Sequence, residues 1–150
     1  MSDTDSVAFN HVGQVVTDLE RAKRFYVEVF AFTPLREIHP VDGLSAQLMG
    51  LEPPLAMTAS YLGRDGLVLE LLHFAAEGQT QPYAPRAMNH PGLTHLSLSV
   101  DDIDATLGRV TEFGGELLPD TNIGHGVFVR DPDGQLVEIL PMSYRRSLEQ

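Results

Sequence analysis

The chain of 150 residues contains no cysteine. Disulfides and thiolate chemistry are thereby excluded, which leaves histidines and carboxylates as the strong metal ligands. No apolar run is long enough to cross a membrane as a helix. Positive charge is scarce: 10 Lys and Arg stand against 21 Asp and Glu, a formal net charge of −11. That balance argues against nucleic acid, whose binders carry basic stripes, and offers little to a polyphosphate. Arg21, Lys23 and Arg24 are read as a solvated helix face, Arg145 and Arg146 as an ordinary tail. The opening MSDTDSVAFN has acids where a signal peptide has basic residues, and no apolar stretch follows, so a cytoplasmic location is expected. Residues 1–7 are read as polar and frayed. No glycine-rich phosphate loop, Ser-His-Asp set or HExxH helix is present. The remaining composition, 43% hydrophobic and 21% charged, is that of one ordinary globular domain.

What is present is a repeat. DGQLVEIL at 133–140 echoes DGLVLELL at 65–72, each an Asp-Gly turn followed by an apolar strand with a single glutamate inside it. The glutamates, Glu70 and Glu138, stand 68 residues apart. An unpaired carboxylate buried in such a strand costs several kcal/mol, so two in register need a shared cause. FNHVGQVV at 9–16 and LTHLSLSV at 93–100 repeat as well, with His11 and His95 aligned 84 residues apart. Helical stretches follow both: TDLERAKRFYVEVF and DDIDATLGRVTEFG. Two copies of a unit, each with one His on its first strand and one Glu on its last, would meet about a pseudo-twofold axis. Two neutral imidazoles and two carboxylates balance a divalent cation in charge and suit a borderline N/O-binding metal.

These pieces resemble the vicinal oxygen chelate superfamily, which includes glyoxalase I, methylmalonyl-CoA epimerase, extradiol dioxygenases and bleomycin-binding proteins. The resemblance rests on NHVGQVVTDLERAKRFYVEVF, GLVLELLHF, GLTHLSLSVDDIDATL and FVRDPDGQLVEIL, and so covers both halves. It implies an α+β fold of two βαβββ modules that form a U-shaped mixed sheet around a metal cavity, with the helices on the convex face. Module one is expected at about 8–74, a linker at about 75–92 and module two at about 93–142. The resemblance carries the metal positions onto His11, Glu70, His95 and Glu138, for one divalent ion of Zn, Ni, Co, Mn or Fe. It also implies a small-molecule substrate and a homodimer, with the ligands drawn from one chain or exchanged between two.

Along the chain, a first strand is expected at about 8–16. The capping-box pattern Thr17-Asp18-Leu19-Glu20 opens a helix with the apolar stripe Leu19, Ala22, Phe25, Tyr26, Val29 and Phe30. Ala31 stands at its end where a left-handed cap disfavours a Cβ. A second strand is expected at 34–38, then a loop at 39–54 beside the cavity. Strands follow at 55–62 and 66–74; a two-residue hairpin at Gly63–Gly66 would make Glu70 face Ala59 and put Met57 and Tyr61 on the cavity side. In module two, His95, Ser97 and Ser99 share one strand face, and a helix from about 103 stops at Gly114-Gly115. A short strand at 116–119 and another at 127–130 follow. Asp131-Pro132-Asp133-Gly134 is a turn, its aspartates turn formers. His90 and His125 are read as loop histidines.

The expected function is metal-dependent proton transfer of the glyoxalase type, an isomerisation, lyase or epimerisation reaction at a carbon next to an oxygen that the metal holds. Glu138 and Glu70 are the candidate catalytic bases. Two alternatives stand beside it. A non-haem iron extradiol dioxygenase would use His11, His95 and Glu138 as a facial triad, leaving Glu70 in the way of oxygen. A metal-free small-molecule binding or resistance protein would have no need of either carboxylate.

Overall fold

The computed structural model describes residues 6–149, so the expectation for residues 1–5 lies outside the described residues. Module one runs β1 (Val12–Val15), α1 (Leu19–Phe30), β2 (Thr33–Ile38), α2 (Asp42–Met49), β3 (Met57–Arg64) and β4 (Leu67–Phe74). Module two runs β5 (His95–Val100), α3 (Ile103–Glu112), β6 (Glu116–Leu117), β7 (Val127–Arg130) and β8 (Leu136–Pro141), with α4 (Met142–Ser147) after it. The strands form two four-stranded mixed sheets of identical topology, β1-β4-β3-β2 and β5-β8-β7-β6. In each the first pair is parallel and the other two antiparallel. The α+β fold of two repeated βαβββ modules is thus as the repeat implied.

Alternation along the strands sorts the side chains onto two faces. Val16, Leu62, Leu69 and Leu71 pack beneath Phe25, Tyr26, Val29 and Phe30 of α1; Val127, Val129, Val137 and Ile139 pack with Val110 of α3. All belong to one continuous core, so the two helices lie together. Arg109 of α3 donates through Nε to the Glu28 carbonyl of α1 at 2.8 Å. Gly115 permits the close approach: a Cβ there would stand 2.8 Å from the Phe25 ring and 2.7 Å from the Arg130 carbonyl. Because both sheets turn one face to this shared core, their opposite faces, which carry the histidines and glutamates, point away from it.

Several local expectations change. β1 starts at Val12, which leaves His11 just ahead of the strand. Asp18, not Thr17, caps α1 by accepting from Arg21 N, because Thr17 is engaged by Asp133 across the module boundary. Ala31 does adopt the left-handed cap conformation at φ 55°, despite its Cβ. The segment at 39–54 is not an open loop: it contains α2, held at Asp42, whose carboxylate accepts from Leu55 N and Ala56 N. Ala46 of α2 packs with Leu55, Met57 and Phe74, on the same face of the sheet as Glu70. The β3–β4 turn is Asp65-Gly66, both at positive φ (50° and 81°), as a two-residue hairpin requires. Glu70 consequently pairs with Tyr61, two residues from the expected Ala59.

Candidate metal centre

Register brings the first pair together. Gly13 of β1, Glu70 of β4, Tyr61 of β3 and Arg36 of β2 stand opposite one another in a row across the sheet. His11, two residues before Gly13, directs Nε2 to within 3.4 Å of Glu70 Oε1. The second module repeats the row as Ser97 of β5, Glu138 of β8 and Phe128 of β7. His95 Nε2 lies 3.9 Å from Glu138 Oε1. An aromatic edge flanks each imidazole: Tyr61 on His11 (centroids 5.6 Å, 82°) and Phe128 on His95 (5.1 Å, 83°).

The other ring nitrogen of each histidine is also engaged. His11 Nδ1 lies 2.5 Å from Asn10 Oδ1, an acceptor, so Nδ1 is the nitrogen engaged there and Nε2 is the one turned toward Glu70. His95 Nδ1 bonds Thr94 Oγ1 at 2.8 Å. A carbonyl or hydroxyl on Nδ1 with Nε2 directed at a carboxylate is the tautomer and outer-shell pattern of a metal-bound imidazole. Two ligands bound at about 2.0–2.2 Å stand roughly 3–4 Å apart at open bond angles, which the two separations match. The donor set therefore fits a divalent ion.

Electrostatics distinguish the halves. Burial first, then the hydrogen bond to and charge of Glu70, push the Tyr61 hydroxyl up to about 12, with the Arg36 guanidinium opposing. The Glu70 side chain is 11% exposed and that of Glu138 27%. Ser97 Oγ donates to Glu138 Oε1 at 2.7 Å, where module one has only Gly13.

The four residues do not converge within one chain. Among the described residues no group of three or more His, Asp or Glu side chains is arranged to hold a metal ion. The chain presents two His-Glu half-sites. Sequence repetition matches His11 with His95 and Glu70 with Glu138, but it carries no information on how the modules sit. Alternation puts Ser97 on the His95 face and Tyr61 on the cavity face; that Tyr61 and Phe128 stand directly opposite the glutamates follows only from the hairpin register. His125 stacks on Tyr144 of α4 (6.4 Å, 5°).

A buried polar junction, invisible in the repeat, links the modules. Asp131 Oδ2 accepts from Tyr26 OH (2.7 Å) and Gln14 Nε2 (3.1 Å), and its Oδ1 from Asp133 N and Gln135 N (both 2.9 Å). Asp131 forms the expected turn and, beyond that, joins β1 and α1 to the strand pair carrying Glu138. Burial is the largest influence on it and raises its carboxyl above the ordinary value, against these hydrogen bonds.

Paired modules, with matching His and Glu on the free face of each sheet, define a class of duplicated βαβββ proteins. The chain belongs to the Glyoxalase/Bleomycin resistance protein/Dioxygenase superfamily, whose pattern matches residues 8–139. It is 30% identical to a lactoylglutathione lyase of Pseudomonas aeruginosa, covering 93% of this chain and 85% of that protein. Its fold resembles the trypanothione-dependent glyoxalase I of Leishmania major, with a TM-score of 0.69 at 22% identity, covering 96% and 93% of the two chains. It also resembles the fosfomycin resistance protein FosX of Listeria monocytogenes, solved with Mn(II) and a sulfate ion (TM-score 0.60, 16% identity, 94% and 97% covered). Among the described residues, no helix is long and apolar enough to cross a membrane.

Proposed function

We propose that the protein is a divalent-metal-dependent enzyme of the glyoxalase type, working as a homodimer in the cytoplasm. Each active site joins His11 and Glu70 of one copy to His95 and Glu138 of the other. The carrying observation is the repeated His-Glu pair, each incomplete as a metal site within one chain. Among the described residues β1 and β5, which carry or adjoin the histidines, are both edge strands with an unpaired side. Each is therefore open to a neighbour where its half-site lies. The lactoylglutathione lyase relative and the Mn(II)-containing FosX structure support this reading.

Bound there, the ion would polarise two substrate oxygens and acidify the neighbouring C–H. The residues of the chain do the rest. Glu138, more exposed than Glu70, takes the proton from one carbon and returns it to the next while the hydroxyl proton passes between the two oxygens, so the hemithioacetal of an α-ketoaldehyde and the isomeric α-hydroxythioester interconvert without an oxidant. Glu70, more deeply set and paired across the sheet with Tyr61, remains a ligand. Leu72 and Tyr61 flank Glu70 on its sheet face, and Ser97 and Phe128 flank Glu138.

The test combines elemental analysis with proton exchange from deuterated water into S-lactoylglutathione, an α-hydroxythioester, while oxygen uptake is followed. Exchange without oxygen consumption is expected. Ring cleavage of a catechol with oxygen uptake would transfer the assignment to the dioxygenases.

A further inference from the structure

The two Asp-Gly turns border clefts that the duplication has left unequal. In module two the cleft beside Leu136, one side-chain step from Glu138 on the same sheet face, is walled by Tyr83, Arg86 and Met88 of the linker. The Tyr83 ring lies over Gly134, where an added Cβ would stand 3.1 Å from it, and Arg130 donates to Tyr83 OH at 2.8 Å. About 100 Å³ remains there. In module one the matching cleft, beside Val68 and one step from Glu70, has no linker over it and measures about 390 Å³. Its floor includes Leu35, Gly63 and Val68. The Leu35 side chain lies across Gly63, where an added Cβ would meet it at 2.9 Å, so a larger residue there would fill the cleft.

Arg36 follows Leu35 at the edge of this open cleft. It pairs with Tyr61, which pairs with Glu70, so the three share one row. The next residue, Glu37, turns to the helix face, where its carboxylate binds Lys23 of α1 at 3.1 Å. Alternation therefore puts the Arg36 side chain on the face of Glu70. Among the described residues Arg36 engages no carboxylate, carbonyl or ring, whereas every other lysine and arginine except Arg146 of α4 does. With 21 Asp and Glu in the chain, an arginine without an acid partner is the exception. Its fork of donors is open to a group from outside the chain.

We propose that Arg36 and the Leu35–Gly63–Val68 floor form the subsite for the far end of the substrate's thiol arm, and that this arm is an apolar stem ending in a carboxylate. The inference rests on the reading of the reaction as thioester isomerisation. Neighbouring strands lie ~4.8 Å apart, so Arg36 is about 10 Å from Glu70, the reach of a stem of roughly six to eight atoms. The planar guanidinium takes a carboxylate through two parallel N–H···O bonds. Its single charge matches a monoanion, whereas a dianionic phosphate would bring a second negative charge toward Glu70. The linker-walled cleft of module two offers no equivalent, because Arg86 there donates to the Pro91 and Leu93 carbonyls.

The experiment uses the full-length protein and two probes, the S-lactoyl thioesters of 6-mercaptohexanoate and 6-mercaptohexanol, alike in length and different in terminal charge. Binding is measured by calorimetry, and turnover by proton exchange from deuterated water. Wild type is expected to bind the acid about 10-fold more tightly at low ionic strength and to lose most of that preference in salt. Arg36→Gln should bring the two probes together, and Arg36→Lys should keep part of the preference. Gly63→Leu should weaken both probes alike, with thermal unfolding showing that the variant is folded. Equal binding of the probes by wild type, a preference that survives Arg36→Gln, or binding of neither probe overturns the inference. Undiminished binding by folded Gly63→Leu overturns it as well. A preference for the acid that Arg36→Gln removes, without any proton exchange, supports the subsite and counts against the reaction alone. Exchange with no charge preference removes the subsite and leaves the reaction standing.

Discussion

The first half-site is the deeper and the second the more open. Glu70 lies in a row with a tyrosine and is nearly covered; Glu138 lies beside a serine and is better exposed. The histidines are alike in both, each with Nδ1 held by the preceding side chain and an aromatic edge against its ring. Duplication has kept the groups that would touch a metal and let their supports diverge. A pseudosymmetric site can thus hold two chemically unequal carboxylates, one suited to staying in place and one to moving.

The largest effect should separate them. Glu138→Gln is expected to lower turnover by about 10²–10⁴-fold with most of the metal retained, as loss of a general base does. Glu70→Gln should weaken metal retention more and turnover less. Steady-state kinetics beside metal analysis reads both; equal turnover losses would erase the distinction between the halves.

A second test breaks the junction between modules. Both Asp131 oxygens accept hydrogen bonds, four in all, from Tyr26, Gln14 and two backbone amides. Asp131→Asn turns an NH₂ toward donors and should destabilise the fold by about 1–3 kcal/mol in urea unfolding. The pH dependence has a definite sign. Burial, the largest influence, holds the carboxyl above its ordinary 3.8, so the folded state binds this proton more tightly than the unfolded state. Its contribution is full below 3.8 and declines as pH rises through the folded value. The gap between wild type and variant should narrow over that range, and a widening gap would contradict the assignment.

The smallest test compares helix ends. α3 is followed by Gly114 at φ 89°, whereas α1 ends on Ala31 at φ 55°. Ala31→Gly should relieve the left-handed strain and raise stability by roughly 0.5–1 kcal/mol, measured as a small rise in melting temperature. No gain would mean that the Cβ is accommodated without strain.

Which residues match between modules was legible because His and Glu recur in identical local patterns, whatever the modules do in space. The different spacings, 68 and 84, marked extra chain in module one but not its helical form. α2 owes its place to Ala46 packing on Met57 and Phe74 and to Asp42 binding the Leu55 and Ala56 amides, contacts between distant residues. The hairpin register turned on whether Arg64-Asp65 or Asp65-Gly66 forms the turn. The Asp-Gly pair, suited to positive φ, won and brought Tyr61 rather than Ala59 opposite Glu70. Asp131 was legible as a turn former, but its Tyr26 and Gln14 partners lie more than a hundred residues away.

The central claim, that each site is shared between two copies, is tested most directly by mixing two inactive variants. His11→Ala and His95→Ala homodimers should each lose metal and activity, since every site lacks one histidine. A heterodimer of the two, isolated with different tags, concentrates both losses in one site and leaves the other whole. Roughly half of wild-type activity and about one metal ion per dimer should return, as expected for one intact site of two in a twofold assembly. A heterodimer as inactive and metal-free as its parents would contradict the shared site.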